Sequence, residues 1–495
     1  MQYRSTRGTV ANAKNAAEAV IQGLAPDGGL YVPVDFPHPE FSLEQLSGIT
    51  LQQASSLVLS WLMDDWSAEQ RTASIHRAYC SQWDDPAITP LTKKVGGNYF
   101  LELFHGPTLA FKDVALQLLP QLMTRAVKLM GLDRKIVILT ATSGDTGGAS
   151  MDGFSNVDGT QVVVFYPHHG VSPVQLHQMR SLPGDNLTPV AVDGNFDDAQ
   201  QNVKQIFNDP QLRAELAAHQ LQFSSANSMN IGRLIPQIAY YFYAYGQLLA
   251  RHDISAGDQV NFTVPTGNFG DILAGYYAQK LGLPVHRLVC ASDQNNVLTD
   301  FFTTGKYDRR RDFTVTNSPS MDILVSSNLE RLLFDTANGD DQRVAALMSQ
   351  LQRRGFYQVS DSEKDFLDSH FAAGYADEQL VRDEIHRSYH QDHYAIDPHT
   401  AVASAVARQY QEDSGDETPM VIISTASPFK FPETVYYSIT SKAVDEPGLP
   451  AIRQLQQLLG GSLPRGVANL FNRQDRPQRV VDPAAMSGLL ETILF

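Results

Sequence analysis

The chain is short of three things that would each point to a class of protein: cysteine, long apolar runs and an excess of positive charge. It has 2 cysteines in 495 residues, Cys80 and Cys290, far apart and outside any ligand-like spacing. That argues against a disulfide framework and against a cysteine-based zinc site. No apolar run approaches the roughly 20 residues that cross a bilayer. The start, Met1-Gln2-Tyr3-Arg4-Ser5, has neither an apolar signal core nor an Arg/Ser-rich presequence, so the expected location is the cytoplasm. Basic residues number 38 against 54 acidic ones, a formal net charge of -16. A nucleic acid or an anionic membrane surface is a poor partner for such a chain. A small anionic substrate is not, because a basic pocket can sit inside an acidic protein. What remains is an ordinary globular composition, 43% apolar and 19% charged. Its length calls for two or three domains, and composition leaves open whether it is a monomer or a homodimer.

What is present has a clear order. Residues 1–95 alternate short helical stretches with turns such as Pro26-Asp27-Gly28-Gly29, and read as a small N-terminal helical region. Short β-branched runs come after it at 136–142, 162–166, 189–192, 260–264, 288–291 and 420–424. Amphipathic helical stretches lie between them, at 196–207, 235–250 and 271–281 among others. Apolar runs separated by helices predict an α/β fold, with parallel strands covered on both faces. Residues 349–417 are polar and largely helical, and read as an insertion or accessory layer. There is no internal repeat.

In such sheets ligands sit at the carboxyl ends of the strands, where the βα loops gather. Two of those loops are glycine-rich: Thr142-Ser143-Gly144-Asp145-Thr146-Gly147-Gly148, and Pro265-Thr266-Gly267-Asn268-Phe269-Gly270-Asp271. Glycine lets a backbone approach a ligand, and free N–H groups at a helix start favour phosphate or carboxylate. Neither loop has the G-x-G-x-x-G of a dinucleotide site or the Gly-Lys-Ser/Thr of a P-loop. Either one alone would be an ordinary turn. A third element is His105-Gly106-Pro107-Thr108-Leu109-Ala110-Phe111-Lys112-Asp113, with Lys112 opening a helical stretch to about residue 130. Most lysines are solvated surface residues, but one among apolar neighbours loses charge stabilisation, as a Schiff-base lysine must. A fourth is Ser424-Thr425-Ala426-Ser427-Pro428 after the last strand, where a hydroxyl could face a ring nitrogen or simply cap the next turn. One ligand accounts for all four. Pyridoxal phosphate needs a lysine for its aldehyde, a phosphate cradle and a partner for its ring nitrogen.

Taken together, these segments resemble the threonine synthase family, in its longer bacterial and fungal branch. The resemblance extends to residues 5–8, 23–33, 318–328, 397–402 and 425–431. It implies a fold-type-II arrangement similar to tryptophan synthase β: two open, mostly parallel sheets with helices on both faces. It also suggests a division into 1–95, a catalytic domain 96–450 with a smaller mobile part at about 131–225, and a C-terminal segment 451–495. The chain departs from the family at Ser427-Pro428-Phe429, where His-Pro-Ala is common. It departs again at Ile231-Gly232, where a bulky aromatic often precedes the arginine. These changes bear on substrate preference rather than on the cofactor.

By the same resemblance, Lys112 bonds to the cofactor and then moves protons. Gly267, Asn268, Phe269 and Gly270 hold the cofactor phosphate through backbone N–H groups, with Asp271 in the same site, and Thr425 faces the pyridine nitrogen. Thr142, Ser143, Asp145 and Thr146 surround the substrate carboxylate and the cofactor ring oxygen. Ser228 and Arg233 take the substrate phosphate, with Asn227 beside them. The implied reaction turns O-phospho-L-homoserine and water into L-threonine and phosphate. No metal is called for: the pair His168-His169 has no carboxylate or cysteine at ligand spacing, and reads as loop histidines. The competing readings are a phospholyase releasing 2-oxobutyrate from the same substrate, a non-catalytic protein on the same fold, and a nucleotide-dependent oxidoreductase. The intact lysine and phosphate loop count against the second, and the missing fingerprints against the third.

Overall fold

The computed structural model describes residues 1–495 apart from Ser143, Gly170 and Asn195 and the side chains of Val10, Phe196 and Asp197. Two five-stranded sheets, every pairing in them parallel, organise the chain. The first, the cradle sheet, runs Phe371–Tyr375, Val285–Ser292, Val260–Pro265, Met420–Ser424, Tyr99–Glu102 from edge to edge. The second, the hydroxyl sheet, runs Val480–Val481, Leu187–Val192, Thr160–Pro167, Lys135–Ala141, Leu221–Ser224. Strands such as Val260–Pro265 and Met420–Ser424 are buried along their whole length, because helices cover both faces and leave no side for polar residues.

The six strands expected from apolar runs are all present and occupy the interior of the two sheets. The four that went unread are the four edges: Tyr99–Glu102, Leu221–Ser224, Phe371–Tyr375 and Val480–Val481. An edge strand pairs on one side only and is short or partly exposed, so no continuous apolar run marks it. Phe371–Tyr375 shows the effect, fading from a buried Phe371 to an exposed Tyr375.

Two expectations need correction. The N-terminal region is not only helical: Gln2–Ser5 pairs antiparallel with Lys14–Asn15 and with Tyr31–Pro33, strands too short to leave a periodic signal. Its helices Ala16–Gln22, Leu51–Leu62 and Ala68–Ala78 each begin with a reciprocal capping box, Asn15/Glu18, Thr50/Gln53 and Ser67/Gln70. Nor is 349–417 an accessory layer. It supplies the edge strand Phe371–Tyr375 and the helix Pro398–Ser414, which packs on the cradle sheet. Its polar look comes from the outer helices Asp361–His370 and Glu378–Asp392.

The helix Ile231–Ala250 leaves the hydroxyl sheet after Leu221–Ser224 and leads into the cradle sheet at Val260–Pro265. It begins four residues before the expected 235, because the Asn230 side chain caps it by accepting from the Gly232 N–H at 2.9 Å. Gly232 and Pro236 had weakened the helical signal there. The C-terminal stretch closes the hydroxyl sheet: Met486 and Leu490 share an apolar cluster with Val137, Val163 and Val190. The Arg476 guanidinium donates to the carbonyls of Leu187 and Gly184. No helix among the described residues is long and apolar enough to cross a membrane.

Candidate active site

The carboxyl ends of both sheets face one cavity of about 190 Å³. Its wall includes Lys112, Thr142, Asp145, Thr146, Asn227, Ser228, Arg233, Gly267, Asn268, Phe269, Gly270, Asp271 and Thr425. Every site residue expected from the sequence is therefore brought together, except Ser143, which lies outside the described residues.

Lys112 is the first residue of the helix Lys112–Leu129 and is 8% exposed. The turn that delivers it is built rather than loose. Asp113 accepts from the N–H and the hydroxyl of Thr108 at 2.8 and 2.6 Å. Gly106 packs so tightly that an added Cβ would lie 2.5 Å from that carboxylate. Leu109 takes a left-handed φ of 64°. The Phe111 N–H donates to the Thr425 carbonyl at 2.8 Å and the Ser427 N–H to the Leu109 carbonyl at 3.1 Å, which places Thr425 beside the lysine. Lys112 Nζ donates to Asp145 Oδ2 at 3.3 Å and to Ser320 Oγ at 3.2 Å. Burial pulls this ammonium below its usual range, Asp145 opposes the fall, and Arg233 and Lys430 add to it.

The loop after Val260–Pro265 is held from behind. Ser326 Oγ donates to the Gly267 carbonyl at 2.7 Å, and Asn328 donates to the Asn268 carbonyl through both its backbone N–H and its side-chain amide. In a trans peptide the N–H points opposite to its carbonyl, so the Asn268 and Phe269 amides point away from Ser326 and Asn328. Phe269 sits in the left-handed region at φ 63° and is buried; such conformations persist where surrounding structure over-determines them. A Cβ on Gly267 would lie 2.8 Å from the Ser320 carbonyl oxygen. Gly270 opens the helix Gly270–Lys280, whose first-turn amides have no partner within the helix. Asp271 accepts from the hydroxyls of Tyr240 and Tyr241, and its Oδ2 has no partner among the described residues. Burial pushes its carboxyl up to about 6, against the pull of both tyrosines.

On the hydroxyl side, Thr142 Oγ1 accepts from the N–H groups of Gly144 and Gly147 at 3.0 and 2.9 Å. It thereby organises the start of the helix Asp145–Phe154 and keeps its own proton to donate. Across the cavity, Arg233 lies in the first turn of Ile231–Ala250 and is 3% exposed. Its Nη1 donates to the Ala226 carbonyl at 2.9 Å, while its Nε has no partner among the described residues. Burial pulls the guanidinium down to about 10. A buried cation without a carboxylate, at a helix N-terminus, fits an anion.

The sequence carries this geometry widely. The profile described as "Pyridoxal-phosphate dependent enzyme" matches residues 86–426. Those described as "Threonine synthase N terminus" and "Threonine synthase, C-terminal" match residues 2–79 and 400–487. A threonine synthase of Pseudomonas aeruginosa is 38% identical, over 96% of this chain and 95% of its own length. One of Eremothecium gossypii is 37% identical, over 89% of each. The chain belongs to the threonine synthase family. The solved pyridoxal-phosphate-bound threonine synthase of Brucella melitensis matches it with a TM-score of 0.86 at 36% identity, covering 100% of this chain and 98% of that one.

As in that family of pyridoxal-phosphate enzymes, the residues present fit the cofactor. A buried lysine with weakened proton affinity stands beside Thr425, facing a backbone cradle that a single Cβ at Gly267 would crowd. Four groups on or behind the same wall had no role assigned from the sequence. Ser320 Oγ donates to Asp145 Oδ2 at 2.7 Å. His399 Nε2 accepts the Ser320 N–H at 3.2 Å, leaving Nδ1 to donate to Asp397 Oδ2 at 2.7 Å. Gln175 Nε2 donates to Asp145 Oδ1 at 2.7 Å. Lys430 is fully buried and pairs with Asp145 Oδ1 at 3.0 Å. Three of the four lie in family-like segments, yet nothing local shows that Ser320, Gln175 and Lys430 meet at Asp145, with His399 behind Ser320.

Proposed function

We propose that this chain converts O-phospho-L-homoserine and water into L-threonine and inorganic phosphate, as a carbon–oxygen lyase acting on a phosphate. The observation that carries this reading is the position of Arg233. It is a buried guanidinium with no carboxylate partner among the described residues, in the same cavity as Lys112 and the glycine cradle but on a different helix. One cavity therefore offers two anion positions, one for a cofactor phosphate at Gly267–Gly270 and one for a substrate phosphate at Arg233 and Ser228.

Bound pyridoxal phosphate supplies an electron sink next to the substrate α carbon. The chain supplies the rest. The amides of Asn268, Phe269 and Gly270 hold the cofactor phosphate, and Thr425 offers its hydroxyl to the ring nitrogen without a full charge. Thr142 and Thr146 donate to the substrate carboxylate. Lys112 Nζ, easily deprotonated by burial, takes the substrate protons at Cα and Cβ. Arg233 and Ser228 neutralise the charge that grows on the phosphate as it leaves Cγ. Lys112 Nζ then returns one proton to Cγ, the hydroxyl of water adds at Cβ while its proton goes to the departing phosphate, and the second proton goes back to Cα.

The test is a visible spectrum of the purified protein with pyridoxal phosphate, before and after O-phosphohomoserine, with products assayed, for wild type and Lys112→Ala. The expected result is a band that shifts with substrate, threonine and phosphate in equal amounts, and no turnover in the variant. Phosphate with 2-oxobutyrate in place of threonine would make the chain a phospholyase. No band after added cofactor would sink the reading.

A further inference from the structure

Lys430 has no part in the chemistry just described, yet it lies at 0% exposure, a place a lysine occupies only when its charge is matched. Its Nζ meets Asp145 Oδ1 and also donates to the Thr108 carbonyl, inside the turn that delivers Lys112. The other oxygen of Asp145 meets Lys112 Nζ and Ser320 Oγ. One carboxylate is thus divided between two buried ammonium groups. It takes a fourth bond from Gln175, so its orientation is set from several directions at once.

We infer that Lys430 is a positioning residue for the reaction, acting through Asp145 to set how readily Lys112 gives up its proton. The inference rests on the reading of Lys112 as the proton carrier. Its physical basis is charge balance. With Lys430 in place, the Asp145 charge is already matched, and Lys112 faces a neutral pair rather than a bare anion. Without Lys430, the whole carboxylate would attract the Lys112 ammonium and hold its proton on. The remaining titratable groups facing these residues are Arg233 from the helix Ile231–Ala250 and Asp271 from Gly270–Lys280, with His399 of Pro398–Ser414 on the Asp145 side and Asp113 of Lys112–Leu129, whose carboxyl burial pushes up to about 7, on the Lys430 side. Lys430 and Arg233 both disfavour the charged lysine and Asp145 favours it, in line with this assignment. Burial alone would push Asp145 up, but Lys430, then Lys112 and His399, hold it well below the usual carboxylate range. Asp145 therefore stays ionised, and its anionic face is turned to cations.

The two members of the pair make opposite predictions, which a merely structural role would not. In Lys430→Met the midpoint for deprotonation of Lys112 is expected to move up by about one pH unit. In Asp145→Asn it is expected to move down by a similar amount, and in Lys430→Arg to stay near wild type. The measurement is competitive acetylation of the cofactor-free full chain across pH, with Lys112 read by mass spectrometry. The acid limb of kcat on the cofactor-loaded enzyme, where substrate has released Lys112 from the cofactor, should show the same order. If Lys430→Met does not fold, Lys430→Gln, which keeps a donor for Asp145 and loses the charge, should give the same upward shift, and a wild-type midpoint in Lys430→Gln would overturn the inference. Equal midpoints in all variants, or shifts of one sign, would overturn the inference. Failure of pyridoxal phosphate to protect Lys112 from acetylation in wild type would instead overturn the reading of Lys112 itself.

Discussion

Asp145 and Asp271 occupy matching places in the two halves of the molecule. Each comes directly after a glycine, each lies in the first turn of a helix, and each of those helices leaves a central strand of its parallel sheet. Both carboxylates are buried. Their charge states nevertheless diverge. Asp145 meets two lysines and is held well below the usual range, while Asp271 meets two tyrosine hydroxyls and rises to about 6. The loops before them differ in the same way. The hydroxyl loop is shaped locally, by Thr142 reaching the amides of Gly144 and Gly147. The cradle loop is shaped from a distance, by Ser326 and Asn328 on the far side of the chain. A βα loop that must present bare amides to a phosphate needs its carbonyls occupied from behind, and a helix cap alone does not do that.

The contrast can be broken at several points. The largest effect is expected at the seam, where Arg233 stands between the halves. Arg233→Ala should raise KM for O-phosphohomoserine by about 100-fold or more, as losing a charge-assisted phosphate contact does. The visible cofactor band should be unchanged. A loss of cofactor affinity with KM intact would move Arg233 into the cradle.

Next comes a pair of glycine substitutions. Gly267→Ala sets a Cβ 2.8 Å from the Ser320 carbonyl oxygen, so backbone must shift. The strain, about 1–3 kcal/mol, should appear as a roughly 10- to 100-fold loss of cofactor affinity by titration. Gly148→Ala, in the helix of the hydroxyl side, meets nothing nearer than 4.0 Å. It should stabilise the protein by about 0.5–1 kcal/mol in denaturant unfolding, with cofactor affinity unchanged. Equal losses from both would show that the two loops are constrained alike.

Asp271 offers a comparison in pH. Its folded pKa lies above its unfolded one, so between the usual carboxylate range and about pH 6 the folded state keeps a proton that the unfolded chain releases. Stability from this group is therefore present at low pH and lost as pH rises through that window. Asp271→Asn, which keeps an acceptor for the tyrosine hydroxyls, should recover about 1–2 kcal/mol at neutral pH. Unfolding midpoints of the cofactor-free protein at pH 4 and pH 7 measure it. A variant that loses stability at pH 7 and not at pH 4 would show the carboxylate to be needed as an anion.

Much of the architecture was legible in residue order. Interior strands such as Met420–Ser424 advertise themselves because burial on both faces demands an unbroken apolar run. The helix start at Lys112 was legible because a turn of Gly106, Pro107 and Thr108 precedes an apolar stretch. Edge strands were not, since Phe371–Tyr375 and Leu221–Ser224 are recognisable only by the neighbour they pair with. The cavity wall was largely legible through family-like segments. The meeting of Lys430, Ser320 and Gln175 at Asp145 was not, because these residues are separated by long stretches of chain and carry no shared spacing.

By itself the sequence determined the α/β class, the interior strands, the glycine loops and the lysine that opens a helix. These arise from short-range causes: backbone freedom, capping and the period of apolar side chains. Only the tertiary structure decided that one Gly-Asp helix start would be ionised between two lysines and the other held up by burial beside two tyrosines. Charge states depend on which groups the topology brings within a few ångströms, and no local pattern encodes that distance.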